Sequence, residues 1–274
     1  NSGKRARESR DALGFLLVCT PWSHQRERAK VGDVPVKGYA DRGGRLRLFV
    51  GDSRRLAGIA TGSVGVILTS PPYWVRGRGR ARAERYAREL ATGFGPEWRR
   101  VLADHGDLWL VIGDRHDGDE WVGVDGLVTR WLRRTGWRLQ SKGLWAQVRS
   151  RERWDNRVNH LLRFRKAGHP VRPGGATLCF MLPLPRSHPE SVWDATPEPV
   201  IREVLAISAK RGAVLDPFAG AGTVGRVVAG LGREWVGVER DPRMARLIAR
   251  RLRLRVSPSS RSASPRAPRG ARRR

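Results

Sequence analysis

Ala213-Val214-Leu215-Asp216-Pro217-Phe218-Ala219-Gly220-Ala221-Gly222-Thr223 is the stretch that decides the fold. Its three leading apolar residues read as a buried strand. Asp216-Pro217 stops the strand, and Gly220, Gly222 and Gly225 follow with the spacing G-x-G-x-x-G, opening a helix that runs to about Gly230. The next apolar run, Trp235-Val236-Gly237-Val238-Glu239, is a second strand with an acid at its tip. Strand, glycine loop, helix, strand and acid in that order make a unit of parallel sheet with a ligand loop at its carboxyl end. Glycines let the backbone approach a ligand, and the acid accepts hydrogen bonds from ribose hydroxyls. The spacing alone also suits a dinucleotide.

Outward from this unit the alternation continues. Apolar runs predict strands at 46–50, 64–68, 108–112, 139–145 and 159–164. Helices are expected at 54–60, at 82–102 with a break at 93–96, at 126–134, at 198–208 and at 242–254. Continuous Val/Ile/Leu runs separated by helices imply an α/β fold, a mostly parallel sheet with helices on both faces. Right-handed crossovers then bring the carboxyl ends of the parallel strands to one edge, where ligands bind.

Composition limits the partners. The 274 residues hold 54 Lys and Arg against 26 acids, a formal net charge of +28. Self-repulsion on that scale points to a polyanion, nucleic acid first. Two cysteines, Cys19 and Cys179, lie in no metal-ligand spacing, so neither a zinc site nor a disulfide framework is expected. No run is long enough for a membrane span, and 14–18 is too short for a secretory signal. A cytoplasmic, nucleoid-associated protein with no membrane partner is the expectation. Residues 1–44 read as a disordered basic extension, and 255–274 as a disordered Arg/Ser/Pro tail, with no acid anywhere after Asp241.

A second motif, Thr69-Ser70-Pro71-Pro72-Tyr73-Trp74, also follows a strand. Ser70 offers a hydroxyl oxygen and Pro71 a backbone carbonyl. The prolines stiffen the turn, and Tyr73 presents a ring on which a planar base can stack. Acceptors so placed suit an exocyclic amine, a poor nucleophile that must be drawn toward tetrahedral geometry. Asp216 and Phe218 give the other loop an anionic, aromatic tip that suits a cationic ligand better than a pyrophosphate.

Together, Ser70-Pro71-Pro72-Tyr73 and Asp216–Thr223 resemble the motifs of the S-adenosylmethionine-dependent DNA amino-methyltransferases, over roughly residues 45–254. The catalytic motif comes first, the beta arrangement. The resemblance implies a Rossmann-like methyltransferase domain at 45–254, with a target-recognition segment at about 142–190. It implies catalytic roles for Ser70, Pro71, Pro72 and Tyr73. It implies cofactor contacts from Asp216, Phe218, Gly220, Gly222, Thr223 and Glu239, from the Pro-Glu motif at Thr196, Pro197 and Glu198, and from Asp52 of a Gly-Asp pair. Ser at the first position is typical of N4-cytosine enzymes and Asp of most N6-adenine enzymes. N4 of cytosine is thus the expected target. Adenine N6, an RNA amine and a non-catalytic nucleic-acid binder are the alternatives. A C5-cytosine enzyme is disfavoured, because neither cysteine sits in a Pro-Cys turn at a strand end.

Double-stranded DNA is the expected partner, with a cognate restriction endonuclease as a second candidate. The chain itself is expected as a monomer or homodimer. Arg76, Arg78, Arg80 and Arg82 directly follow the catalytic turn and suit phosphate contact. Lys142, Arg149, Arg151, Arg153 and Arg157 form a second basic cluster continuing through Arg163, Arg165 and Lys166, interleaved with Trp145 and Trp154. Trp145, Trp109, Trp131 and Trp235 read as core residues, and His160 as a structural histidine.

Overall fold

In chain order the strands are β1 (Gly38–Ala40), β2 (Leu46–Val50), β3 (Val64–Thr69), β4 (Leu102–Gly113), β5 (Arg115–Asp117), β6 (Glu120–Val122), β7 (Trp137–Val148), β8 (Arg157–Lys166), β9 (Cys179–Pro183), β10 (Ala213–Asp216), β11 (Trp235–Glu239) and β12 (Arg255–Ser257). The helices are α1 (Arg80–Glu89), α2 (Gly95–Val101), α3 (Val124–Arg134), α4 (Glu198–Ile207), α5 (Thr223–Gly230) and α6 (Pro242–Arg251). The computed structural model describes residues 38–72, 80–113, 115–117, 120–148, 157–168, 179–183 and 196–257.

Ten of these strands form one sheet in the order β12-β1-β2-β11-β10-β3-β4-β8-β7-β9, and β5 and β6 pair separately. The central run from β2 to β4 is parallel throughout. Antiparallel pairs flank it, β12-β1-β2 on one side and β4-β8-β7 on the other. The sheet is thus the expected mixed, mostly parallel α/β sheet.

Side chains alternate between two cores. Leu108, Leu110 and Ile112 of β4 pack with α1, α2 and α3. Trp109 and Val111 pack with α4, α5 and α6 on the other face. Trp145 and Trp235 are buried, as read from the sequence, and Trp131 is half-buried against the first core. His160 is buried, its Nδ1 lying 3.9 Å from Asp125.

Some local expectations are corrected. Residues 54–60 form turns, not a helix; Leu56 and Ile59 instead plug the first core. The helix expected at 82–102 does break near the expected 93–96, at one wide turn of π-helix, Leu90–Phe94, before Gly95-Pro96 restarts it, but it ends at Val101, just before β4 begins. The sheet also extends past both expected domain limits: β1 lies inside the segment read as a disordered extension, and β12 inside the tail. Residues 1–37 and 258–274 lie outside the described residues. No helix among those described is long and apolar enough to cross a membrane.

Candidate active site

Both motifs stand at carboxyl ends of neighbouring parallel strands. β3 pairs with β10, Ile67 opposite Leu215. The Ser70 turn therefore lies beside the 216–223 loop. Thr69 Oγ1 donates a 2.7 Å hydrogen bond to Asp216 Oδ1, which also accepts from the Phe218 N–H at 3.2 Å. Asp216 is 3 % exposed, so the expected anionic tip is a carboxyl group sunk beneath the loop. Burial pushes its pKa up to about 7, against the pull of the Thr69 and Phe218 hydrogen bonds, and nearby Glu239 pushes the same way. Among the described residues no cation is paired with it.

The loop's backbone is set by its glycines. Gly220 and Gly222 have φ of +52° and +79°, the left-handed region that favours glycine. A Cβ on Gly222 would stand 3.0 Å from Ile248 Cγ2 of α6. The third glycine packs rather than turns: a Cβ on Gly225 would meet Trp235 at 2.8 Å. Glu239 staples the loop from the next strand. One of its oxygens accepts from Gly220 N and the other from Asp241 N, each at 2.8 Å. Burial raises the Glu239 pKa.

Asp52 follows β2 and is exposed, accepting from Arg54 N at 3.0 Å. The Gly51 N–H donates to Glu239 O at 3.1 Å, so Asp52 and Glu239 stand at adjacent strand ends. Phe218 faces inward, its ring edge-on to Phe94 at 5.0 Å and to Trp98 at 6.2 Å. It anchors the loop to the first core. Thr196 is buried, and Pro197 precedes α4. Glu198 pairs with Arg202 at 2.7 Å and with Arg226 of α5 at 3.4 Å, which ties α4 to the helix that follows the loop. Its pKa is lowered, chiefly by the Arg202 hydrogen bond. Thr223 begins α5 directly after Gly222.

On the other side of the cleft, Ser70 Oγ donates a long 3.4 Å bond to Val111 O of β4, and Pro71 is buried while Pro72 is exposed. Gly113, at the end of β4, lies opposite Asn159, which lies opposite Trp145. A residue without a side chain thus sits between the Ser70 turn and a buried amide backed by a buried indole.

Sequence reasoning missed two site residues. Ser53 is buried, and its hydroxyl donates to Pro217 O, clamping the turn after β2 to the glycine loop. Its only signal was its place after Gly51-Asp52. Asn159 is the other, a polar residue in an apolar run. Tyr73, Arg76, Arg78, Arg149, Arg151, Arg153 and Trp154 lie outside the described residues, as does the Arg157 side chain. Arg80 and Arg82 open α1, where Arg80 is exposed. The second basic cluster is in part structural. Arg163 and Arg165 reach fully buried Asp107 at 2.9 and 2.8 Å, Lys166 reaches Asp104 at 3.0 Å, and Lys142 is paired with Asp125. Arg163 and Arg165 are therefore core-edge residues and not the phosphate contacts that their clustering suggested.

A family model described as DNA methylase, for the N6 and N4 enzymes, matches residues 186–250. The chain is 28 % identical to the type II methyltransferase M.XycI of Xanthomonas campestris pv. cyanopsidis over 271 residues, covering 75 % of this chain and 87 % of that one. With M.SmaI of Serratia marcescens it shares 27 % over 264 residues, covering 75 % and 90 %. TTHA0409 of Thermus thermophilus, solved in complex with S-adenosyl-L-methionine, superposes with a TM-score of 0.60 at 26 % identity, over 76 % of this chain and 92 % of that one. The PvuII DNA methyltransferase, described as cytosine-N4-specific, superposes with a TM-score of 0.61 over 74 % and 85 %; at 17 % identity it speaks for the fold alone. Fold, motif order and relatives agree: in sequence and in fold the chain is similar to the DNA N6/N4 amino-methyltransferases.

Proposed function

We propose that this protein methylates an exocyclic amino group in double-stranded DNA, with S-adenosylmethionine as donor and N4 of cytosine as the acceptor. The observation that carries the reading is the side-by-side placement of the Ser70 turn and the Gly220–Gly222 loop, joined by Thr69 and Asp216.

The loop fits the donor. Its left-handed glycines bare the backbone, and Asp52 and Glu239 offer carboxylates to ribose hydroxyls. Asp216 is a buried carboxyl with no cation paired to it among the described residues, which a sulfonium and an ammonium would complement. The bound donor supplies an electrophilic methyl group. TTHA0409 holds S-adenosyl-L-methionine in the same fold.

The chain's own residues then position the amine. Ser70 gives its hydroxyl proton to Val111 O, which leaves its oxygen lone pairs to accept an amino hydrogen. The Pro71 carbonyl takes the other hydrogen, and the amine lone pair turns toward the methyl. Tyr73 supplies a stacking face for a base swung out of the duplex. Gly113, which has no side chain, and Asn159 opposite it stand beside the Ser70 turn, where the ring of the base would lie. Ser at position 70 favours cytosine over adenine. Duplex DNA is favoured by the +28 charge and by the DNA methylases among the relatives. Type II methyltransferase relatives also suggest a cognate endonuclease.

Transfer of tritium from methyl-labelled donor to duplex DNA tests this. Counts in the DNA with the parent chain, lost with Ser70→Ala, support it; labelled RNA with unlabelled DNA refutes it.

A further inference from the structure

Beyond the catalytic cleft, a groove runs along the outer corner of the sheet between α6, β12 and β1. Tyr39, Leu254 and four arginines, Arg246, Arg250, Arg253 and Arg255, line it. All four arginines are exposed, and among the described residues none forms an ion pair. This contrasts with the other end of the sheet, where Arg163, Arg165 and Lys166 all have acidic partners. Four guanidiniums that converge without an acid repel one another.

The backbone supplies a second, independent observation. Arg253 has φ +55°, the one described non-glycine residue with a positive φ. It follows the C-cap of α6, where Leu254 N donates to Ala249 O at 2.8 Å and closes the helix. Glycine is the usual occupant of that position, and an arginine there is strained. Strain kept at a surface position points to use of the side chain.

The register gives the direction of the groove. β12 runs antiparallel to β1, with Ser257 opposite Gly38, and Gly38 lies opposite Phe49 near the end of β2. β12 therefore points toward the strand ends that carry Asp52 and Glu239. In the sequence the next residues, 258–274, add six arginines and no acid.

We propose that Arg246, Arg250, Arg253 and Arg255 form a second binding site, outside the base-recognition cleft, for the phosphate backbone of duplex DNA. The choice of DNA rests on the function proposed above. Arg246 and Arg250 are one helical turn apart on one face, which lets them take neighbouring phosphates of one strand. Arginine forks suit phosphate oxygens. The site reads no bases, so it raises affinity for all sequences alike and holds the duplex while the cleft samples it.

The test measures binding of the full chain to a random-sequence duplex across a salt series, without donor. Arg246→Gln/Arg250→Gln should flatten the slope of log affinity against log salt by about 1.8, from about 0.9 per lost contact. Affinity at 0.15 M salt should fall at least tenfold. Arg133→Gln/Arg138→Gln removes equal charge at the far end of the sheet and should change the slope by less than half as much. Arg253→Gly should raise Tm while weakening DNA binding, a split that a structural role would not give. Equal effects of the two double variants, an unchanged affinity for Arg253→Gly, or tighter binding of single-stranded RNA than of duplex DNA would overturn the proposal. Methylation separates it from the functional reading. Groove variants should keep turnover at saturating DNA. A parent chain that binds DNA through the groove but transfers no methyl would refute the function and leave the groove standing.

Discussion

Thr69 Oγ1 lies 2.7 Å from Asp216 Oδ1, so the last residue of one parallel strand holds the last residue of its neighbour. Each residue directly adjoins a motif: Ser70 follows Thr69, and Pro217-Phe218 follows Asp216. The bond fixes the spacing between the proposed base turn and the proposed cofactor loop. Thr69→Val keeps the shape and deletes the donor. It should cost about 1–3 kcal/mol in urea unfolding, the range for a buried polar group left short of a partner. It should also lower kcat, and Thr69→Ser should restore both.

Asp216 makes stability and binding depend on pH. Its pKa in the fold, about 7, stands above the ordinary 3.8, so the folded chain binds more protons than the unfolded chain between those values. Stability contributed by this group is present below about pH 4 and is lost as pH rises through 7. A cationic donor beside Asp216 favours its ionised form, so donor binding at pH 7 should release a proton and tighten as pH rises. Calorimetry in two buffers of different ionisation heat reads the release directly. Asp216→Asn should abolish it.

Gly220 and Gly222 should answer differently to substitution. Gly222→Val combines a left-handed backbone with a clash against Ile248, so the variant should be destabilised and its loss of donor binding uninformative. Gly220→Ala has open space, its Cβ meeting nothing closer than Phe218 O at 3.7 Å. It should cost about 1–2 kcal/mol of backbone strain and remain folded. Circular dichroism and thermal melting of the two variants check this ranking, and calorimetry on Gly220→Ala then reports donor affinity.

Ser70 and Tyr73 are expected to act on the base. Ser70→Ala should lower kcat far more than it weakens donor binding. Tyr73→Ala should lose about 1–3 kcal/mol of base stacking. Steady-state kinetics beside donor titration separates the two effects. Equal losses in both would move these residues to the cofactor.

The central fold was readable because its strands are continuous apolar runs ending in turn residues, as at Val64–Thr69 and Trp235–Glu239. Both motifs announced themselves by the same punctuation. The edge strands were not readable: Gly38–Ala40 and Arg255–Ser257 are three residues each and gain their order from pairing with one another and with β2. The turns at 54–60 carry helix-like spacing, but Leu56 and Ile59 satisfy it by plugging the core from a loop. Within the site, sequence spacing placed Phe218 and Asp216 at the loop, yet depth is a tertiary property. The rings of Phe94 and Trp98 draw Phe218 inward, and Thr69 holds Asp216 beneath. Likewise, nothing local distinguishes Arg163, bound to Asp107 from 56 positions away, from an arginine left for phosphate.

The most direct measurement is nucleoside mass spectrometry of duplex DNA incubated with the full chain and S-adenosylmethionine, then digested completely. The account predicts N4-methyl-2′-deoxycytidine, absent when Ser70→Ala replaces the parent chain. N6-methyl-2′-deoxyadenosine alone would contradict the assignment of the base, and DNA without either product would contradict the claim that these two motifs form a DNA amino-methyltransferase site.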